Sequence, residues 1–257
     1  MIKPADVLNL AKEKGARMVD YRFMDLLGIW QHFGTPIGML KEELFEEGLP
    51  FDGSSMRGWK AINSSDMLIV PDAQTATMDP FTGVPTLSLI CDVFDPITKE
   101  PYERDPRRIA LNAEAFLRQT GIADTAYFGP EAEFFIFDDV QFEIGPNHAY
   151  YHVDSAEGFW NSCRDEHPNL GYKPRQKEGY FPVPPTDSHM GIRHEICEVL
   201  EEVGIVVERE HHEVASGGQG EIDFRFDALT RCADKTTLFK YVVKNVARRH
   251  NKTATFM

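Results

Sequence analysis

Nowhere in the 257-residue chain do eighteen apolar residues run together, so the sequence offers no membrane-spanning helix. Basic charge is in short supply: 27 Lys+Arg stand against 41 Asp+Glu, a formal net charge of -14. That balance excludes a broad cationic surface for nucleic acid. Cysteine is sparse and scattered. Cys91, Cys163, Cys197 and Cys232 form no CxxC pair, which removes zinc-ribbon spacing and a secreted disulfide framework and leaves reduced, cytoplasmic thiols as the expectation. The chain lacks GxxxxGK(S/T) and GxGxxG, the two common phosphate-binding loops, and His194-Glu195 lacks the second histidine of a zincin helix. Pro4-Ala5-Asp6 reads as a helix start, not as part of a signal peptide.

What remains is ordinary globular material, 42% hydrophobic and 26% charged, enough for one large or two small domains. Residues 5–14 suit a short helix with Val7, Leu8 and Ala11 on one side. A hairpin around Leu27-Gly28 follows, then a strand-rich stretch whose clearest strand is Thr86 to Cys91. A boundary falls near residue 104, since Asp105 is a good N-cap and Pro106 fits the first helical position. Ile109, Ala113, Phe116 and Leu117 give that helix an apolar stripe. Beyond it the pattern predicts a strand over 127–137 and a polar, turn-rich excursion over 141–186. Next come a helix with Ile192, Ile196, Val199, Leu200 and Val203 inward, and two strands flanking Ser216 to Gly220. A helix over 231–250 and a strand over 253–257 finish the chain. The order suggests an α+β protein of two domains, 1–104 and 105–257.

Acidic side chains cluster where chemistry would need them. Glu131 and Glu133, two apart on the predicted strand, would share a face at roughly 6.5–7 Å. Unneutralised, such a pair repels. Glu213 and Glu221 lie on either side of the glycine-rich turn, where cross-strand Cβ atoms approach to about 5 Å. Either pair could be a solvated polar face, or together they could hold a hard divalent cation such as Mg²⁺. Phe51-Asp52-Gly53 is a turn that projects a carboxylate. The histidines at 189, 194, 211, 212 and 250 read by default as helix-surface or core residues. Taken alone, the residues also suit a metal-binding phosphohydrolase.

An ordered series of blocks resembles bacterial type I glutamine synthetases. It comprises Pro50 to Ser55 with Gly58-Trp59, Asn63 to Met67, Phe128 to Phe135, Lys177 to Pro182, His211 to Ala215, Gly218 to Glu221, and Tyr241 to Ala247. The resemblance runs over almost the whole chain and matches the amino-terminal portion of that family. It implies a small β-grasp-like domain to residue 104, followed by an incomplete catalytic α/β domain. It implies ATP-dependent ligation of ammonia to L-glutamate through γ-glutamyl phosphate, with ATP as co-substrate and two or more Mg²⁺ or Mn²⁺ ions per site. Neighbouring identical subunits would form a double six-membered ring.

By the same resemblance Glu133, Glu213 and Glu221 hold the ion near glutamate and ammonium, while Glu131 holds the ion on the ATP phosphates. Glu208 contacts ATP and Phe226 lies near the nucleotide. Asp52, reaching in from the adjacent subunit, is the general base; Asp66, Tyr180 and Glu213 complete the ammonium pocket. A regular strand over 205–213 would point Glu208 and Glu213 to opposite faces, so the resemblance requires a bulge or a different ATP contact. Gly220 departs from the family, where a larger residue is usual, and Asp223 is less typical. A Gly-Ser-Gly-Met-His segment, further arginines and a closing glutamate flap are missing, which implies a truncated chain inactive by itself. A ligase for another amine acceptor, or a non-catalytic protein of the same fold, are the rival readings.

Overall fold

A computed structural model describes residues 2–161 and 170–256. Helices and strands are mixed, and the chain divides into two compact units: Met1–Phe128 with Ala228–Asp234, and Gly129–Asp227 with Lys235–Met257.

The first unit begins with α1 (Pro4–Glu13), opened by Pro4 and by the Lys3 backbone N–H donating to Asp6 at 2.8 Å. Strands β1 (Met18–Met24) and β2 (Trp30–Pro36) form an antiparallel hairpin. Its turn is tied by the Asp25 carboxylate, which accepts from the N–H groups of Leu27 and Ile29 at 2.9 Å each. After the short α2 (Leu44–Glu47) come β3 (Leu49–Asp52), β4 (Asp66–Pro71), β5 (Thr77–Met78) and β6 (Thr86–Phe94). The sheet runs β2-β1-β6-β4-β3, with β5 also on β6. β1 and β6 are parallel, from Met18 opposite Thr86 to Arg22 opposite Ile90. Leu87, Leu89, Cys91 and Val93 alternate along β6 into a core shared with Val7, Ala11, Tyr21, Phe23, Met67 and Ile69. Each fully buried Leu there contributes about 1.5–3 kcal/mol relative to exposure.

Helix α3 (Pro106–Thr120) starts where Asp105 and Pro106 predict. The Asp105 carboxylate accepts from Arg107 N–H at 3.0 Å and from Val93 N–H at 3.1 Å, so the cap also joins the helix to β6. Burial pushes its pKa up to about 6. Arg107 is itself buried and bonds Asp72 and Asp92 at 2.6 Å, and Asp234 at 2.9 Å. The apolar stripe along α3 faces outward in this chain, with Ile109 55% and Phe116 67% exposed.

The stretch 127–137 is not one strand. β7 (Tyr127–Phe128) stops before Gly129-Pro130, and β8 (Phe134–Phe137) begins only after Glu133. Pro130 has no N–H to give a ladder, so Glu131 and Glu133 lie on irregular backbone and not on one strand face. The polar excursion likewise contains regular structure. β9 (Asp139–Ile144) and β10 (Ala149–Asp154) pair antiparallel, with Tyr151 opposite Phe142.

In the second unit α4 (Met190–Glu202) packs on β11 (Val207–His212) and β12 (Gln219–Phe224) through Ile192, Ile196, Val199 and Leu200. After β13 (Asp227–Ala228), helix α5 (Leu229–Arg249) starts in the first unit and continues in the second. There it buries Phe239, Val242, Val243, Val246 and Ala247. β14 (Thr253–Thr255) completes an antiparallel sheet of order β11-β12-β8-β14. Phe256 beyond it packs on Phe134 and Phe239, with ring centroids 5.7 Å apart in each pair. Cys91 and Cys197 are free thiols, and Cys232 Sγ donates to Phe128 O at 3.1 Å; Cys163 and Met257 lie outside the described residues. No described helix is long and apolar enough to cross a membrane.

Candidate functional site

The β11–β12 hairpin is the centre of the site. Its register sets His211 opposite Glu221 and His212 opposite Gly220. β12 in turn pairs with β8, Gln219 opposite Phe135 and Gly220 opposite Phe134. Gly220 can carry no larger side chain without movement, because a Cβ there would come within 2.9 Å of Arg193 Cδ. Arg193 is almost wholly buried and pairs with Glu210 and, at 2.6 Å, with Asp187. The glycine therefore makes room for a buried arginine that ties α4 to the hairpin.

Among the described residues, His211, Glu213 and Glu221 bring ligand-type atoms within 4.8 Å of one another. The His211 ring lies between the carboxylates, Nδ1 3.4 Å from Glu213 and Nε2 3.4 Å from Glu221, and the three side chains are 10–11% exposed. Sequence reasoning named the two glutamates but left His211 as an ordinary surface or core residue. Its signal was positional: in a hairpin closed around residues 213–219, it falls directly across from Glu221.

Burial is the first cause that pushes the Glu221 carboxyl above its ordinary range; Asp223, Glu213 and Glu133 add negative charge, while His211 acts in the other direction. Partly desolvated carboxylates that repel one another, beside an imidazole nitrogen, form a donor set that a divalent cation would fit. Glu133 stands next to this group without belonging to its 4.8 Å set, and accepts a hydrogen bond from Gln219 Nε2. Glu131 is exposed and is not in the set.

The other sequence-derived residues are placed as follows. Tyr180 is half exposed, stacks on Phe181 at 3.8 Å between centroids, and meets the edge of His211 at 5.5 Å. Glu208 falls where the β11 register shifts between Val207 and Arg209. That irregularity removes the strict alternation that would oppose Glu208 to Glu213. Glu208 is exposed and pairs with Arg225 at 3.2 Å. Phe226 is 56% exposed, and a Cβ on Gly129 would come within 3.6 Å of its Cβ. In the first unit Asp52 and Asp66 are direct cross-strand partners at the ends of β3 and β4. Asp52 accepts from Ser54 N–H at 2.8 Å and from Ser54 Oγ at 2.6 Å, the contacts that lower its pKa from the ordinary carboxylate value.

Fold and site together define an α+β protein that gathers an acidic donor set on a sheet hairpin. The sequence matches the glutamine synthetase β-grasp domain over residues 15–96 and the glutamine synthetase catalytic domain over residues 103–257. The chain belongs to the glutamine synthetase family. It is 55% identical over 256 residues to the glutamine synthetase of Frankia alni, covering 99% of this chain and 54% of that protein. With the glutamine synthetase of Aquifex aeolicus (strain VF5) it shares 54% identity over 254 residues, again 99% of this chain and 54% of the relative. Among solved structures, the glutamine synthetase of Plasmodium falciparum superimposes with a TM-score of 0.90 at 29% identity, over 100% of this chain and 50% of that one. The chain thus spans about half the length of the relatives it matches.

Proposed function

We propose that this chain is part of a glutamate–ammonia ligase that converts L-glutamate, ammonium and ATP into L-glutamine, ADP and phosphate. The observation that carries the reading is the convergence of His211, Glu213 and Glu221 inside the stretch that matches the catalytic domain. Glu213, Glu221 and neighbouring Glu133 would hold one Mg²⁺ or Mn²⁺ ion, with His211 beside them. Glu131 would reach an ion on the ATP phosphates, Glu208 the ATP itself, and Phe226 the nucleotide. When bound, such ions screen the repulsion between glutamate and the triphosphate and stabilise charge on the transferring phosphoryl group.

The chain's own residues would do the rest. The γ-carboxylate of glutamate attacks the γ-phosphorus, ADP leaves, and ammonia then displaces phosphate from the acyl carbon. Ammonium must first lose a proton. Asp52, ionised and fixed by Ser54, attracts the cation and accepts that proton. Asp66, its cross-strand partner, and Tyr180 and Glu213 would line the ammonium pocket. We assign the domain division to residue 104, place the enzyme in the cytoplasm, and have Asp52 act across a subunit boundary in a double six-membered ring.

The full natural polypeptide, supplied with glutamate, ATP, Mg²⁺ and either ammonium or methylamine, tests the reading by mass spectrometry of its products. Glutamine, ADP and phosphate in equal amounts are expected. ATP hydrolysis without an amide, or methylamide as the sole product, would overturn it.

A further inference from the structure

Glu157 is a fully buried carboxylate that the proposed chemistry does not use. Its Oε1 accepts from Ser188 N–H at 2.7 Å and from Ser188 Oγ at 2.8 Å. Its Oε2 lies 2.8 Å from His212 Nε2, with His189 Nδ1 3.5 Å away. Packing alone would be served better by an apolar side chain, since a buried charge costs free energy unless its hydrogen bonds are complete.

The other end of the His212 ring explains the arrangement. Nδ1 faces the backbone oxygens of Glu213 at 2.6 Å and Gly179 at 2.7 Å. Carbonyl oxygens only accept, so Nδ1 carries hydrogen and donates to both. One imidazole therefore clamps the residue that bears the Glu213 carboxylate to the loop that bears Tyr180. The approach is tight: a Cβ on Gly179 would come within 2.7 Å of the Glu213 oxygen and 2.9 Å of the Val214 oxygen. Gly179 N–H adds a bond to Val214 O at 3.0 Å. Without a partner at Nε2 the ring is free to turn, and the clamp loses its direction.

We propose that Glu157 is a positioning residue for the hairpin's cation site: it holds the His212 ring at Nε2 so that Nδ1 fixes the backbone on which Glu213 and Tyr180 are aimed. The inference rests on the ligase reading only in taking the hairpin to hold a cation. Partners that orient ligand-bearing groups typically change metal affinity by about 10–100-fold when removed.

Three substitutions separate reach from charge. Glu157→Gln keeps the length, an oxygen for Ser188, and an amide N–H to offer a neutral Nε2. Glu157→Asp keeps the charge but withdraws it by about one methylene. Glu157→Ala removes both. Mn²⁺ alone is titrated into the full natural polypeptide and each variant, bound ion is read by electron paramagnetic resonance, and folding is followed by circular dichroism. Wild-type and Gln proteins should bind within about threefold of each other, while folded Asp and Ala proteins bind about tenfold or more weakly. A charge-conserving change worse than a charge-removing one is what a purely electrostatic role does not produce. Folded Asp protein with wild-type Mn²⁺ affinity, or Gln protein as weak as Asp, would overturn the inference. Wild-type protein that binds no Mn²⁺ would instead overturn the cation reading of the hairpin.

Discussion

His211 and Glu221 face each other across the β11–β12 hairpin, and the imidazole that reaches Glu221 with Nε2 reaches Glu213 with Nδ1, each at 3.4 Å. If the ring is a ligand, metals will report it differently. Imidazole suits Zn²⁺ and is a poor ligand for Mg²⁺. His211→Ala should weaken Zn²⁺ binding by about tenfold or more and Mg²⁺ binding by less than about threefold. Competition titrations against a chelating dye measure both. Equal losses for the two ions would show that the ring supports the carboxylates without itself binding metal.

Asp52→Asn removes the proposed proton acceptor while leaving an oxygen for Ser54. It should depress amide synthesis about 10²-fold or more, and acyl-phosphate formation much less, because the proton is accepted only in the second step. Rapid-quench measurement of the acyl phosphate separates the steps. Mixed rings of Asp52→Asn and Glu213→Gln subunits should regain activity at interfaces that pair a normal Asp52 with a normal Glu213. No recovery in verified mixed rings would contradict action across the boundary.

The buried cap of α3 makes a pH prediction. The folded pKa of Asp105, about 6, lies above its ordinary 3.8. Between those values the folded chain holds a proton that the unfolded chain releases. Stability from this group is therefore full below the unfolded value and is lost as pH rises through the folded one, by on the order of 3 kcal/mol. Asp105→Asn, also a good N-cap, lacks this loss. Its stability relative to the wild type should rise from pH 4 to pH 6.5 and level off above. Urea unfolding across that range checks it, and a flat difference would refute it.

Arg107 neutralises Asp72, Asp92 and Asp234 at once. Removing it strips the buried guanidinium from three clustered carboxylates, two of which, Asp72 and Asp234, also pair with Arg231 at 3.4 and 3.6 Å, so Arg107→Ala should cost about 3–5 kcal/mol of unfolding free energy. Arg107→Lys should recover only part of that, since one ammonium cannot match the guanidinium fork. Denaturant unfolding gives both values; an alanine variant within 1 kcal/mol of the wild type, on the order of a surface change, would contradict the role.

Where a signal was local, the sequence was readable. Asp105-Pro106 marks the start of α3, the spacing of Ile192, Ile196, Val199 and Leu200 marks α4, and the run from Thr86 to Cys91 marks β6. The flanking of a glycine-rich turn by Glu213 and Glu221 made the hairpin legible too. Misreadings came where one signal hid another. The aromatic run from Phe134 to Phe137 suggested a long strand and overrode Pro130, which interrupts it. Polar composition concealed the alternation of Val140, Phe142 and Ile144 in β9. Glu157 carries no local signal, because its partner His212 lies 55 residues away in sequence.

The cation dependence of glutamine formation tests the central claim most directly. The full natural polypeptide and its Glu221→Gln variant are titrated with Mn²⁺ at saturating glutamate, ammonium and ATP, and glutamine is measured. The shape-conserving change removes one negative oxygen donor from the hairpin. The account predicts metal-dependent glutamine formation by the wild type, and a half-saturating Mn²⁺ concentration raised about tenfold or more in the variant. Identical Mn²⁺ dependence in the two proteins would contradict it.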